Sequence, residues 1–544
     1  MPAPLTYPGV YVEEIPSGVR TITGVATSVT AFVGRTRWGT VGEPIEVNSF
    51  GEFERAFGGL WLASPTTFAV RDFFLNGGSR ALIVRLFKTL DSRSGVAQLT
   101  VYATGGAGSS SSSSSSSSGV GAALQLVAAS PGEWGNHLHA ELKLTPVDED
   151  TAGRLKAAEN EFFELTVTYR DGKADREQIE TFKTLTFATD SPRRFDKVLA
   201  RESRFARAAV DGGKPLTASM PVAGEGDASG GEDSAALDVD AYVGASVSGG
   251  DQKTGIHALL KADIFNLLCV PPDTRGGSLP DAVYPEAMKF CEERRAMFLA
   301  DPPDSWSGTD AVKNAERDLV KLGLTGREAR NAAVFFPRIK VANPLLDGQE
   351  EEVVPSGAVA GVFARTDATR GVWKAPAGID GALTGVRGLT VTITDEENGR
   401  LNQLGLNCLR TFAVFGNVVW GARTARGADQ AADEYKYIPV RRTALFIEET
   451  LFRALKWVVF EPNDEPLWSQ IRLNVGAFMQ DLFRQGAFQG KSPQEAYFVK
   501  CDGESTTQLD IDRGIVNIHV GFAPLKPAEF VVIKLQQLAG QSQA

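Results

Sequence analysis

Four histidines, four cysteines and several clusters of acids are the residues with which this chain could do chemistry. His137 and His139 stand two apart. On a strand that spacing puts both imidazoles on one side, the beginning of a metal site, but no third ligand lies nearby in sequence. LDIDRG at 509–514 offers the first carboxylates of a calcium loop, and the later ligand positions of such a loop do not follow. SGGDQKTG at 248–255 lacks the Gly-Lys-Ser/Thr order that brings backbone amides and a lysine onto one phosphate, so it reads as a turn. Asp273 and Asp301 come just after apolar runs, where open sheets place ligands, yet no GxGxxG follows any strand and each Asp sits beside prolines. Glu461, Asp464 and Glu465 gather in EPNDEP ahead of an amphipathic run, where acids favour a helix N-terminus. Cys269, Cys291, Cys408 and Cys501 have no CxxC spacing, and there is no GxSxG elbow. No catalytic residue, cofactor site or metal site is assigned. One charge pair stands out, Arg441-Arg442 in YIPVRRTALFIEE at what reads as a strand-to-helix joint. It forms either surface ion pairs or a contact to an acidic partner.

The elements that would position these residues follow from their apolar spacing. SVTAFVG (28–34) and ALIVRLF (81–87) are short apolar runs with the composition of buried strands, and FGEFERAFGG (50–59) is a short helix closed by glycines. From 265 onward, apolar strands alternate with helices through FNLLCVPP, PEAMKFCEERR, AMFLADPP, AVKNAERDLVKLG and AAVFFPRI, the pattern of parallel βαβ units. Between these two parts, AELKLTPV and FELTVTYR alternate with strand period, so 90–250 reads as a small α+β domain inserted into a larger one. The unbroken serines 109–118 form a flexible tract, and GEGDASGGEDS (224–234) reads as a second soft segment. Helices are expected over 444–459 and over PLWSQIRLNVGAFMQDLFRQG, where Trp468, Ile471, Val475, Phe478 and Leu482 recur at helical spacing. At the two ends, the segment around Val10, Tyr11, Val12 and Ile15 is fenced by Pro8 and Pro16, and AEFVVIKL (528–535) follows Pro524 and Pro527. Each is a strand without a local hairpin partner, so it is either disordered or lent to another chain.

The net charge of −11 falls on residues 1–400, because 401–544 is neutral. A chain with no basic stripe is a poor ligand for nucleic acid or for an anionic membrane. The start, MPAPLTYPG, has no basic n-region or apolar h-region, and no apolar run reaches membrane-spanning length. With the unpaired cysteines, this leads us to expect a protein made and folded in a reducing cytoplasm.

Several long motifs then occur in a definite order: YPGVYVEEIPSG, TAFVGRTRWG with FGEFERAFGG, KTGIHALLKADIFNLLCVPP, ATRGVWKAPAG, VVWGARTA, VRRTALFIEETL, FEPNDEPLW and IVNIHVGFAPLKPAEFVVIKL. With them the chain resembles, nearly end to end, the tail sheath proteins of contractile phages and of contractile injection systems. PGEWGNHL in the insertion has the same look, while the serine tract and 224–234 depart from the pattern. The resemblance implies a non-enzymatic subunit of α+β/α/β multidomain architecture. It would stack with itself as six-fold rings around an inner tube, held by baseplate and tail terminator or cap proteins, assembled in the bacterial cytoplasm as part of a virion tail or an injection particle. It implies an N-terminal arm and linker at 1–24, core at 25–89, an outer insertion at 90–250, an α/β domain at 251–400, an inner domain at 401–522 and a C-terminal arm at 523–544. The donated strands would use Val10, Tyr11, Val12 and Ile15 at one end and Phe530, Val531, Val532, Ile533 and Leu535 at the other. Gly18 and Gly24 would bound a hinge linker, and Arg441 and Arg442 are candidate contacts to the inner tube. Readings of other classes are a nucleotide- or sugar-handling enzyme on the α/β region at 256–400, and a tube or baseplate component.

Overall fold

A computed structural model of the chain describes residues 21–90, 94–103, 122–170, 177–211, 214–218, 220–245 and 253–532. Val10, Tyr11, Val12, Ile15, Gly18, Ile533, Leu535 and the serines 109–118 therefore lie outside the described residues.

Six strands, Thr30–Gly34, Ala81–Arg85, Leu267–Cys269, Met297–Ala300, Ala332–Phe336 and Asn407–Phe412, pair in parallel. Antiparallel strands Ile45–Val47 and Gly416–Val419 close the edges of an eight-stranded sheet. Runs such as TAFVG, ALIVR and AAVFF are buried at every position, and apolar at all but Thr30 and Arg85, because both faces of the sheet are covered. Alternate residues feed two cores. Ala31, Val33, Leu82, Val84, Phe298 and Val334 face the side that includes helix Val283–Glu293. Phe32, Ile83, Leu299 and Phe335 face helices Phe50–Phe57, Pro65–Leu75 and Ser356–Arg370. The first crossover leads to one side of strand Thr30–Gly34 and the return from the insertion to the other, so the winding reverses beside that strand.

The insertion builds a seven-stranded antiparallel sheet, in the order Gln178–Leu185, Phe163–Tyr169, Leu138–Leu144, Gly224–Ser229, Gln98–Ala103, Ala122–Ala128, Ala206–Ala208. The expected soft segment at 224–234 is corrected here, since Gly224–Ser229 is the middle strand. Its glycines serve close approach rather than flexibility: a Cβ on Gly224 or Gly226 would stand 2.1 or 2.0 Å from the carbonyl oxygen of Tyr102 or Thr100. Trp38, from the α/β body, sits within the insertion's core against Trp134, Tyr169 and Phe205. Arg85, 2% exposed, fixes the joint by donating to the carbonyls of Thr36, Gly39 and Pro131. Burial pushes its guanidinium down to about 10, with Asp233 opposing, so it is cationic at neutral pH.

The C-terminal residues pack helices Ile438–Ala454 and Glu465–Arg484 against the hairpin Tyr497–Lys500/His519–Phe522. The second helix matches its expected face and has Pro466 in its first turn. The first begins six residues earlier than the expected Ala444, because Pro439 occupies the first turn, where its missing N–H costs nothing. Arg441 and Arg442 are thus helical residues. Among the described residues no helix is long and apolar enough to cross a membrane.

Candidate interaction site

Both ends of the described chain come to this C-terminal module. Residues 21–27 lie along helix Ile438–Ala454: Ile22 packs into the module's core, and the Val25 amide donates to Thr450 Oγ1 at 3.3 Å. Gly24 is pressed against the helix, where a Cβ would meet Phe446 Cζ at 2.7 Å. Arg442 donates to the Thr27 carbonyl at 2.8 Å. At the other end, the Ala523 amide donates to Ala496 O and its carbonyl accepts from the Gln489 amide. Glu529 then accepts both arms of the Arg423 guanidinium, at 2.7 and 2.6 Å, and the Tyr437 hydroxyl at 3.2 Å.

Immediately beyond Glu529, the expected strand residues Phe530, Val531 and Val532 belong to no strand of this chain and are 76%, 82% and 79% exposed. Three consecutive apolar side chains in water are costly unless something covers them. The hairpin Tyr497–Lys500/His519–Phe522 is a two-stranded sheet, and no other described strand pairs with either edge. A sheet this narrow is marginal alone.

The two candidate tube contacts, Arg441 and Arg442, are both engaged within the chain. Arg442 is buried, its guanidinium paired with both carboxylate oxygens of Asp367 at 2.8 and 2.6 Å and stacked over Phe363. Arg441 donates to Asn331 Oδ1 and Glu448 and lies over Tyr435. Both charges are spent inside the chain, which surface-charge reasoning missed because Asp367 is 75 residues away. Arg423 and Glu529, also missed, had a sequence signal: one stands in VVWGARTA, the other just before the terminal apolar run.

The chemical candidates resolve into structural roles. His139 pairs with Asp227 while His137 meets the edge of Tyr169, and among the described residues no group of three His, Cys, Asp or Glu could hold a metal. Asp510 and Asp464 accept backbone amides at helix starts, and Glu465 pairs with Arg472. Residues 248–252 lie outside the described residues, and Thr254 begins a short helical turn. All four cysteines are buried and free. At the reversal point of the winding, where a nucleotide would bind, Arg35 pairs with Asp273 at 2.5 Å and donates to the Ser234 carbonyl. Asp273 also accepts the Leu237 amide. The chain returning from the insertion therefore occupies that crevice.

Asp301 accepts the amide and hydroxyl of Ser356 at the start of helix Ser356–Arg370. Burial pushes its carboxyl up to about 7, against the lowering effects of Ser356 and Arg338. A folded-state value above the unfolded one means the fold holds the proton, so stability declines as pH rises from about 4 to 7 and is level above. An Asp301→Asn variant lacks this titration. Relative to the parent it gains ~2–4 kcal/mol between pH 4 and pH 8, read from denaturation midpoints. Parallel profiles would show an Asp301 that ionises normally.

The chain is similar to known tail sheath proteins. Residues 430–537 match the family model for the phage tail sheath C-terminal domain. The chain is 28% identical over 179 residues to the tail sheath protein of Vibrio phage KVP40, a match covering 33% of this chain. That match spans about a quarter (25%) of the relative's length. Among solved structures, the sheath complex of an extracellular contractile injection system in its contracted state aligns with TM-score 0.55 at 21% identity, covering 98% of both chains. The sheath tail protein of Listeria innocua aligns with TM-score 0.56 at 15% identity, covering 93% of this chain and 96% of that one. The fold is shared across these chains.

Proposed function

We propose that this chain, a relative of contractile tail sheath proteins, is a structural subunit that polymerises around an inner tube and contracts to drive the tube through a target envelope. The observation that carries this reading is the arrangement at the chain's ends. Among the described residues the two-stranded sheet of the C-terminal module has no third strand, and Phe530, Val531 and Val532 are exposed and belong to no strand. A subunit that offers strands and also offers open sheet edges is suited to β-augmentation between identical copies. Val10, Tyr11, Val12 and Ile15 would supply the strand at one end and Phe530 to Leu535 the other. Because a donor on one copy meets an acceptor on the next, the contact is head-to-tail, the kind that builds rings and helical stacks.

On this reading the insertion at 90–250 faces outward and the residues at 401–522 face the inner tube. The surplus acidity of residues 1–400 keeps the exterior of a large assembly soluble. Partners are further copies, an inner tube, a baseplate and a terminator or cap, with neither nucleic acid nor membrane contacted directly. Assembly takes place in the bacterial cytoplasm, and the role is mechanical rather than enzymatic. The crevice filled by Arg35, Asp273 and Ser234 speaks against the nucleotide- or sugar-handling alternative.

Negative-stain microscopy of the protein expressed alone tests the proposal. Long tubules of stacked rings are the expected product. A monodisperse monomer at high concentration, melting later when nucleotides or sugars are added, would overturn it in favour of an enzyme.

A further inference from the structure

We propose that two buried arginines, Arg423 and Arg442, are the roots of the two terminal arms, tying each to the same α/β sheet so that a pull on either arm moves the whole body. The inference rests on the reading of the termini as donated strands and adds the residues that position them.

Arg423 is 1% exposed. Besides Glu529, its guanidinium reaches Asp429 and the carbonyls of Asn402 and Gly427. Its backbone is equally fixed: the Arg423 amide donates to Asn407 Oδ1 at 2.7 Å, and Asn407 Nδ2 donates back to the Arg423 carbonyl at 2.8 Å. Asn407 is the first residue of a central-sheet strand. A continuous path of short bonds thus runs from Glu529, through Arg423 and Asn407, into the sheet. Arg442 makes the matching path at the other end. It holds the Thr27 carbonyl and is paired bidentately with Asp367, on the helix Ser356–Arg370 that covers the same sheet. Planar guanidinium groups suit this task, because two parallel bonds to a carboxylate fix direction as well as distance.

The two roots differ in chemistry. Thr27 is gripped by its backbone, whereas Glu529 is gripped by its charge, so the C-terminal root can be released by one isosteric change. This placement also sets where free tether begins. Gly24 lies inside the pinned stretch 21–27, and at the other end the exposed run begins after Glu529.

The test is Glu529→Gln in the full chain carrying a spin label at Ala528→Cys. Ala528 is exposed and the four native cysteines are buried, so the engineered thiol labels selectively. Loss of a charge-assisted bond pair is expected to shift the ratio of held to released roots by about tenfold to a hundredfold. The label at 528 therefore becomes mobile, while a label at exposed Val414→Cys does not change. Tyr437→Phe, which removes one of the contacts to Glu529, gives an intermediate spectrum and guards against a folding defect. In parallel, Glu529→Gln tubules become short or rare although the melting transition of the body is kept. An unchanged spectrum at 528 would overturn the root. A mobile label with parent-like tubules would overturn its role in transmission. If the parent itself forms no tubules, the sheath reading fails, and the spectrum still decides whether Arg423 holds the segment.

Discussion

Deleting residues 530–544 abolishes long tubules and leaves the melting transition of the monomer where it was. Phe530, Val531 and Val532 touch no core of their own chain, so the fold loses nothing with them. The lattice loses a strand per subunit. For an arm of about six residues, about five backbone hydrogen bonds at ~1 kcal/mol and about three buried side chains at ~2 kcal/mol give roughly 11 kcal/mol. Ordering those residues costs roughly 6–12 kcal/mol. The balance per arm thus lies near break-even, between about −1 and 5 kcal/mol, yet each subunit both gives and receives strands, and the contacts act together. Losing even ~3 kcal/mol at every junction lowers each association constant on the order of a hundredfold, enough to end polymerisation at ordinary concentrations. Removal of residues 1–18 has the same outcome, since the pinned stretch at 21–27 remains to complete the module. Electron microscopy for tubules and circular dichroism for the fold are the two measurements. Tubules of normal length from either truncation would remove donated strands from the mechanism.

Much of the body was legible in the sequence because its signals are local. TAFVG, ALIVR and AAVFF do not alternate apolar with polar residues, as befits a sheet covered on both faces, and the helix of Trp468, Ile471, Val475 and Phe478 has one apolar stripe. The exposed apolar run at 530–532 was legible for the same reason. What escaped depends on distant residues. Gly224 and Gly226 look like a flexible loop until the carbonyls of Tyr102 and Thr100 are placed against them. Arg423 meets Glu529 across 106 residues, and composition cannot tell such a buried pair from two surface charges. The helix start was misplaced because Tyr-Ile-Pro reads as a strand before a proline, when Pro439 in fact sits in the first helical turn.

Arg442→Met destabilises the folded monomer by about 3–5 kcal/mol, the size expected when one partner of a buried ion pair is removed. Arg442 and Asp367 have side chains only 3% and 4% exposed, so the substitution strands a carboxylate that water cannot reach. It also frees the Thr27 carbonyl and uncovers the face of Phe363. Methionine keeps the apolar volume of the stem, so the loss reports charge and hydrogen bonding rather than a cavity. The double variant Arg442→Met/Asp367→Leu separates these contributions. With no charge left unpaired, it recovers most of the stability, because two buried apolar groups of similar shape cost little compared with one orphaned ion. Its N-terminal root stays loosened, since Thr27 has still lost its donor. The double variant is therefore expected to melt near the parent and yet to form fewer and shorter tubules. An arginine that served an inner-tube contact would behave in the opposite way: monomer stability would be unchanged by either variant, and self-assembly without a tube would proceed as before. Denaturation followed by tryptophan fluorescence, beside tubule counts from the same preparations, distinguishes the two roles for Arg442 in a single experiment.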